Sequence, residues 1–390
     1  MHHSSGSNDN DGKLLCPRQF YDLLQDRDIQ FYAGVPDSLL KDFCAYVQDH
    51  SNDDQHIICA NEGAAIGLAA GYHLGTGQIP IVYMQNSGLG NAVNPLVSLC
   101  DPNVYSLPVL LLIGWRGEPG VKDEVQHNVQ GNITPALLND LSIPFQVLPN
   151  HIKGATTAVD VALQTMRSRS GPYALLVKKQ CFGKYQLQHD EEHEDCLLTR
   201  ERALEIILGN VDKDDAFVAT TGFTSRELYE YRVRHQSSHN SDFLVVGSMG
   251  HATAISLGVA LARPSRRIWC LDGDGASLMH LGTMATIAIK SSSNLKHILF
   301  NNAAHDSVGG QPSGGFQIDF ATVAKALGYK LALSVTTADE IRDGICQLRD
   351  TNGPAFLEIR ICKGTRKNLS RPKMSPTEIK TAFTQFLTDD

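Results

Sequence analysis

The sequence predicts an α/β protein made of two doubly wound parallel-sheet domains in tandem. Three observations predict it: near-continuous apolar runs of strand length, helical periodicity in the stretches between them, and one polar interruption midway. At 390 residues the chain is also longer than one ordinary core serves.

Taken in order, "MHHSSGSNDNDGK" (1–13) is polar and acidic, so it is expected to be disordered. It has no apolar run of the kind a signal peptide or anchor needs. A first domain over 14–180 follows, with strands expected at "QFYAGV", "HIICA", "IPIVYM", "PVLLLIG", "IPFQVL" and "YALLVK". Between them "DSLLKDFCAYVQD" and "EGAAIGLAAGYHLG" carry the helical period. Residues 181–198 are polar and acidic with neither period, and read as a linker. The alternation then restarts over 199–390, with strands at "AFVATT", "DFLVVGS", "RRIWCLDGD", "KHILFNN", "YKLALSV" and "PAFLEIR". A helix is expected over "SLMHLGTMATIAIK". No sequence repeat links the two halves.

Composition narrows the function. A formal charge of −8 without a basic stripe argues against nucleic acid or an anionic membrane as the main partner. Nine scattered cysteines, none in a CxxC pair, give no sign of a disulfide framework or zinc site, and fit a reducing cytoplasm. No stretch has the apolar length of a membrane helix.

The informative motif is "CLDGDGASLMHLGT", where a strand run ends and a helical pattern begins. In open parallel sheets, ligands bind at the carboxyl ends of the strands. Gly273 and Gly275 let the backbone approach an anion, and a helix start favours negative charge. Asp274 would repel that anion unless a divalent cation sits between them. The dinucleotide fingerprint fails at Leu278, an EF-hand fails at Ala276, and the Walker Gly-Lys-Ser/Thr is missing. Alone, Asp-Gly-Asp-Gly after a strand reads as a turn. One helix and one strand later comes Asn301-Asn302. The Asn302 carboxamide oxygen and a nearby backbone carbonyl could join Asp274 around Mg²⁺, which takes hard oxygen ligands and shares them with phosphate and water. The pattern describes a diphosphate site.

This Gly-Asp-Gly to Asn-Asn spacing resembles that of the thiamine diphosphate enzymes. The resemblance implies that Asp274, the Asn302 side chain and the Ala304 carbonyl ligate Mg²⁺, and that Gly273, Asp274, Gly275 and Ala276 lie along the cofactor diphosphate. In "VVGSMGHATAISLGVAL" it implies that Gly247 offers its carbonyl to the 4′-amino group and that Met249 holds the cofactor bent. Without the neighbouring motif, Met249 reads as core. Glu62, at a helix start where an acid otherwise complements the dipole, matches the family's glutamate on the pyrimidine N1′. There it promotes removal of the thiazolium C2 proton. In the family that glutamate and the diphosphate site come from different subunits, which implies a homodimer or higher assembly. The implied domains are of the pyrimidine-binding and diphosphate-binding types, with no middle domain.

That missing middle domain points to a compact decarboxylase branch. "FYAGVPDSLLKDF", "YMQNSGLGNAVNPLVSL", "LLLIGWRGEPGVKDEVQHNVQG", "GDGASLMHLG" and "NNAAHDSVGGQP" are similar to the phosphonopyruvate decarboxylase family, the likeness running from about Cys16 to Lys380. It implies conversion of 3-phosphonopyruvate to phosphonoacetaldehyde and CO₂, in phosphonate biosynthesis. Sulfopyruvate decarboxylases share much of the arrangement. Two departures stand out: valine in "KDEVQH" where the pattern has proline, and alanine in "NNAAHD" where glycine is frequent.

Asp37, in "GVPDSLL", matches an acidic position that reaches the active site in related decarboxylases, and is equally placed to cap a helix. His127 could relay a proton or be an ordinary loop histidine. Arg116 offers a planar fork for phosphonate or carboxylate, or an ordinary salt bridge. "SVGGQPSGG" suits a lid. The run holding Lys363, Arg366, Lys367 and Arg371 reads as solvated surface, and Asp272 as a brace for the loop backbone. A nicotinamide dehydrogenase would need a complete glycine fingerprint, which is missing; a silent cofactor-binding homologue would have lost Glu62, which is present.

Overall fold

A computed structural model describes residues 14–188 and 198–389. The expected disorder of 1–13 and most of the expected linker lie outside them. The chain divides into two compact units, Met1–Glu191 and Glu192–Asp390.

Every expected strand forms. The first unit holds β1 (Tyr32–Gly34), β2 (His56–Ile58), β3 (Ile81–Gln85), β4 (Leu110–Gly114), β5 (Phe145–Val147) and β6 (Tyr173–Val177). They make one six-stranded sheet in the order β2-β1-β3-β4-β6-β5, and all of its pairings are parallel. The second unit holds β7 (Ala216–Ala219), β8 (Asp242–Leu244), β9 (Ile268–Gly273), β10 (Leu295–Asn301), β11 (Leu331–Val335) and β12 (Ala355–Arg360). Their order is β11-β12-β10-β9-β7-β8, again parallel throughout.

The apolar runs explain why both faces are covered. Along β4, Leu110 and Leu112 join a core with Tyr32, Tyr83 and Leu175, whereas Leu111 and Ile113 join one with Ala33, Met84 and Leu176. In the second sheet Trp269 and Leu271 face one core, and Ile268 and Cys270 the other. Each fully buried Leu, Val or Phe side chain contributes roughly 1.5–3 kcal/mol. Residues 181–188 stay with the first unit: Leu15 and Phe182 bridge as strands do, and the Tyr185 hydroxyl donates to Asp49 at 2.9 Å.

One helix differs from expectation. The stretch after the Asp-Gly-Asp-Gly is two helices, Asp274–Met279 and Gly282–Lys290, not one. His280 leaves helical dihedrals (φ −133°, ψ 46°), and its ring packs against Gly250, where a Cβ would stand 2.6 Å away. Among the described residues no helix is long and apolar enough to cross a membrane. Cys16, Cys44, Cys59, Cys100, Cys181, Cys270 and Cys346 are free thiols. Cys362 is disulfide-bonded, which the scattered spacing did not lead us to expect.

Candidate active site

In the first unit the singled-out residues sit beyond the carboxyl ends of β1, β2 and β4. Glu62 is the first residue of the helix Glu62–Thr76, behind Asn61, whose side chain accepts the Gly63 N–H at 2.8 Å. Its carboxyl is buried, and Oε2 accepts from Asn91 Nδ2 at 2.7 Å. Gly88 presses on the other side: a Cβ there would stand 2.3 Å from Oε1.

Asp37 is fully buried. Its Oδ1 accepts from Gln85 Nε2 at 2.6 Å, and its Oδ2 accepts the Leu39 N–H at 2.9 Å. It closes the turn ahead of the helix Lys41–His50 without being that helix's cap, a position taken by Leu40. Burial pushes the Asp37 carboxyl above the ordinary range against these hydrogen bonds.

Arg116, expected on substrate, lays its fork on Asp123: Nε donates to Oδ2 at 2.8 Å and Nη2 to Oδ1. Nη1 donates to Ser38 Oγ at 2.8 Å. Asp123 Oδ1 also stands 3.1 Å from His127 Nδ1, while its carboxylate takes the Gly117 and Glu124 N–H groups at 2.8 Å each. Burial acts to raise Asp123, but the donors from Arg116, Gly117 and His127 outweigh it and hold the carboxyl well below its usual range. An ionised Asp123 can only accept, so the neutral His127 carries its proton on Nδ1 and leaves Nε2 bare. Burial lowers His127, partly offset by Asp123. Thus Arg116 and His127 share one network through Asp123, and Asp37 lies close enough to feel the Arg116 charge. Two glycines allow it: a Cβ on Gly117 would lie 1.9 Å from the His127 carbonyl oxygen, and one on Gly131 1.7 Å from the Gly117 carbonyl oxygen.

In the second unit the motif lies at the ends of the adjacent strands β9 and β10, in register Leu299 to Asp272 and Phe300 to Gly273. Asp272 accepts the Gly273 N–H at 2.9 Å, the brace expected of it. Gly273 is extended (φ −120°) with its nearest neighbour 4.0 Å from a Cβ, so space beside the backbone stays open. Asp274 is buried, with Oδ2 accepting from Ser313 Oγ at 2.5 Å; burial carries its carboxyl up to about 6 against that bond. Gly275 admits His305, which would lie 2.6 Å from a Cβ, and Ala276 is buried in the same turn. Burial takes His305 down to about 4 and keeps it neutral.

Asn302 is buried, donating Nδ2 to Asp306 Oδ2 at 2.6 Å and accepting the Ala304 N–H on Oδ1 at 3.1 Å. Its neighbour Asn301 ties β10 to Gly315 and Glu358. Ala303, in "NNAAHD", adopts φ +54°, the left-handed region glycine favours. Gly247 takes φ +67° and donates its N–H to Thr221 Oγ1 at 3.2 Å. Met249 is half-buried outside the core, its Cε 3.5 Å from a Cβ on Gly275.

"SVGGQPSGG", expected as a lid, is tied down: Ser313 holds Asp274, Gly315 accepts from Asn301, and the Gln311 carbonyl accepts the His305 N–H at 2.8 Å. Of the late basic run, Arg366 pairs with Glu201 and Glu230.

Among the described residues no three His, Cys, Asp or Glu side chains gather to hold a metal. The expected set is different: one carboxylate, one carboxamide oxygen and one carbonyl, all hard donors suited to Mg²⁺. Two observations fit a bound diphosphate and cation: the open space at Gly273, and the buried Gln311 amide, in which neither Nε2 nor Oε1 has a partner. Sequence reasoning missed Asn91, Asp123, Ser313, Asp306 and Arg200. Asp306 and Ser313 follow the Asn-Asn pair closely enough to have been suspected; the others carry no local signal.

Comparison with known proteins shows the family. The family model "Thiamine pyrophosphate enzyme, N-terminal TPP binding domain" matches residues 17–138, and the corresponding C-terminal TPP binding domain matches 220–359. A phosphonopyruvate decarboxylase of Streptomyces viridochromogenes is 34% identical over 371 residues, 91% of each chain. One of Streptomyces hygroscopicus is 34% identical over 372 residues, 92% of this chain and 90% of its own. A sulfopyruvate decarboxylase of Methanosarcina acetivorans is 25% identical over 391 residues, 94% of this chain and 96% of its own. With both halves of the cofactor-binding fold present and the likeness running nearly end to end, the chain belongs to the phosphonopyruvate decarboxylase family of thiamine pyrophosphate enzymes.

Proposed function

We propose that this chain is a carboxy-lyase converting 3-phosphonopyruvate to phosphonoacetaldehyde and CO₂, with thiamine diphosphate and Mg²⁺, in phosphonate biosynthesis. The observation that carries it is the 34% identity to two phosphonopyruvate decarboxylases over about nine-tenths of each chain. The lower identity, 25%, to a sulfopyruvate decarboxylase makes that acid the second reading.

When bound, thiamine diphosphate supplies the electron sink that loss of CO₂ from a 2-oxo acid requires. The chain's residues do the rest. Asp274, the Asn302 oxygen and the Ala304 carbonyl hold the cation, and Gly273, Gly275 and Ala276 line the diphosphate. Gly247 and Met249 back the rings. Glu62 relays a proton through Oε1, the oxygen that Asn91 leaves open. His127 exchanges protons through Nε2, since Nδ1 is committed to Asp123. Asp37, its carboxyl pushed up by burial, lies near enough to His127 and Arg116 to act on both electrostatically. Arg116 uses three of its five N–H donors on Asp123 and Ser38; the others suit a phosphonate. The working unit is a homodimer or larger, with Glu62 and the diphosphate site from different copies. Seven free thiols among the described residues support a cytoplasmic place, against which the Cys362 disulfide stands.

The test is aldehyde formation from 3-phosphonopyruvate beside sulfopyruvate and pyruvate, with cofactor and Mg²⁺ supplied or withheld, for wild type and Glu62→Gln. Turnover of phosphonopyruvate alone, lost without either addition and greatly reduced in the variant, is expected. Preferred turnover of sulfopyruvate overturns the substrate. Cofactor binding with all three acids untouched identifies a silent homologue.

A further inference from the structure

One buried oxygen in the second unit does more than structure asks of it. Asp306 Oδ2 accepts from three segments: Asn302 Nδ2 at 2.6 Å, Arg200 Nη2 at 3.0 Å and the Gly364 N–H at 2.9 Å. The Arg200 and Asp306 side chains are 6% and 10% exposed, so their charges are met largely by each other. Arg200 also reaches Glu227 Oε1 at 3.4 Å, and that oxygen accepts from the Thr365 hydroxyl at 2.8 Å.

An asparagine carboxamide has two nearly isosteric ends, only one of which can bind a cation. A carboxylate beside it removes the ambiguity, because it accepts and cannot donate. The Asn302 nitrogen therefore faces Asp306, and the oxygen faces the other way. One lone pair of that oxygen takes the Ala304 N–H at 3.1 Å, leaving the second open. Arg200 completes the device by neutralising Asp306, which keeps a second buried carboxylate from competing for the cation.

We propose that Asp306, paired with Arg200, is a positioning residue that sets the flip of the Asn302 carboxamide and so the cation affinity of the loop. This rests on the reading of Asn302 as a metal ligand. The arrangement links the cation loop to the start of the helix Arg200–Leu208 and to Gly364, two segments that the motif does not include.

The experiment measures Mn²⁺ binding, as a stand-in for Mg²⁺, by electron paramagnetic resonance in the presence of thiamine diphosphate, with circular dichroism to verify the fold. Asn302→Ala tests the underlying reading: unchanged Mn²⁺ affinity there removes Asn302 from the ligand set and the proposal with it. Asp306→Leu removes the acceptor while keeping the bulk, and Arg200 keeps Glu227 as a partner; with no acceptor to choose between its ends, Asn302 can turn over, and Mn²⁺ binding is expected to weaken about 10- to 100-fold. Affinity within about threefold of wild type in a folded Asp306→Leu protein, with Asn302→Ala impaired, overturns the positioning role alone. The decisive arm is the double variant Asn302→Asp with Asp306→Leu. The carboxylate introduced by Asn302→Asp has oxygen at both ends, so it needs no orienting, and affinity is expected to return most of the way. A loss in Asp306→Leu without that return marks a merely structural contact and rejects the proposal.

Discussion

Gly88→Ala isolates the placement of Glu62 from everything else about it. The backbone at Gly88 (φ −74°, ψ −13°) suits alanine, so the substitution brings no main-chain strain. The new methyl would stand 2.3 Å from Glu62 Oε1, 2.5 Å from Cδ and 2.6 Å from Cγ. Non-bonded heavy atoms settle near 3.5 Å, so the carboxyl must move by about 1 Å. It cannot move freely, because its Cα begins a helix and Oε2 is held by Asn91. A misplacement of that size costs on the order of 100-fold in rate, or about 2.7 kcal/mol in the barrier. The assay is kcat for aldehyde formation from 3-phosphonopyruvate at saturating cofactor, with the thermal midpoint as the fold control. Gly90→Ala, where a Cβ meets nothing within 4 Å, is expected to match wild type. Turnover within about threefold of wild type in Gly88→Ala, with Glu62→Gln inactive, would refute the reasoning: a carboxyl that tolerates displacement is not acting through its position.

Asp123→Asn removes a carboxylate whose folded pKa is depressed, so its stabilisation is present above the unfolded value and is lost as pH falls from there through the folded one. Urea unfolding is expected to show about 2 kcal/mol lost at pH 7, shrinking as pH falls below about 4; a pH-independent loss contradicts this. In the same variant the NMR titration of His127 is expected to move to lower pH, because Asp123 favours the imidazolium, and a rise counts against the pairing. Ala303→Gly relieves left-handed strain of roughly 1 kcal/mol but adds unfolded-state freedom of similar size. Its melting temperature should therefore stay close to wild type, whereas the β-branched Ala303→Val should lose about 2 kcal/mol or more. Gly131→Ala drives a methyl into the Gly117 carbonyl and should lower the melting temperature by about 10 °C or more, since backbone cannot step aside as a side chain can.

The sheets were legible because parallel strands buried on both faces need unbroken apolar runs, and "PVLLLIG" or "KHILFNN" can hardly be anything else. The strand ends were legible for the same reason, and with them the neighbourhood of Asp274 and Asn302. The break at His280 was not, because it depends on the approach of Gly250 from another loop. Nor was the fate of Arg116: its fork is equally suited to substrate or to Asp123, and only folding brings a particular carboxylate into reach. Arg200 lies far from Asp306 in sequence, and no local pattern of charge foretells a pair that the chain closes across such a gap.

The two strand orders make the halves comparable position by position. Reversed, β11-β12-β10-β9-β7-β8 becomes β8-β7-β9-β10-β12-β11, which is the first sheet's order with each number advanced by six. One topology therefore occurs twice in a chain whose halves share no recognisable sequence repeat. Each loop of one half then has a counterpart in the other: Glu62 follows β2 where Gly247 follows β8, and Arg116 follows β4 where Asn302 follows β10. On the proposed roles, the residues assigned to proton handling and to the substrate anion fall in the first half, and those assigned to the diphosphate and the cation in the second. The order of the strands thus records a likeness between the halves that their residues do not.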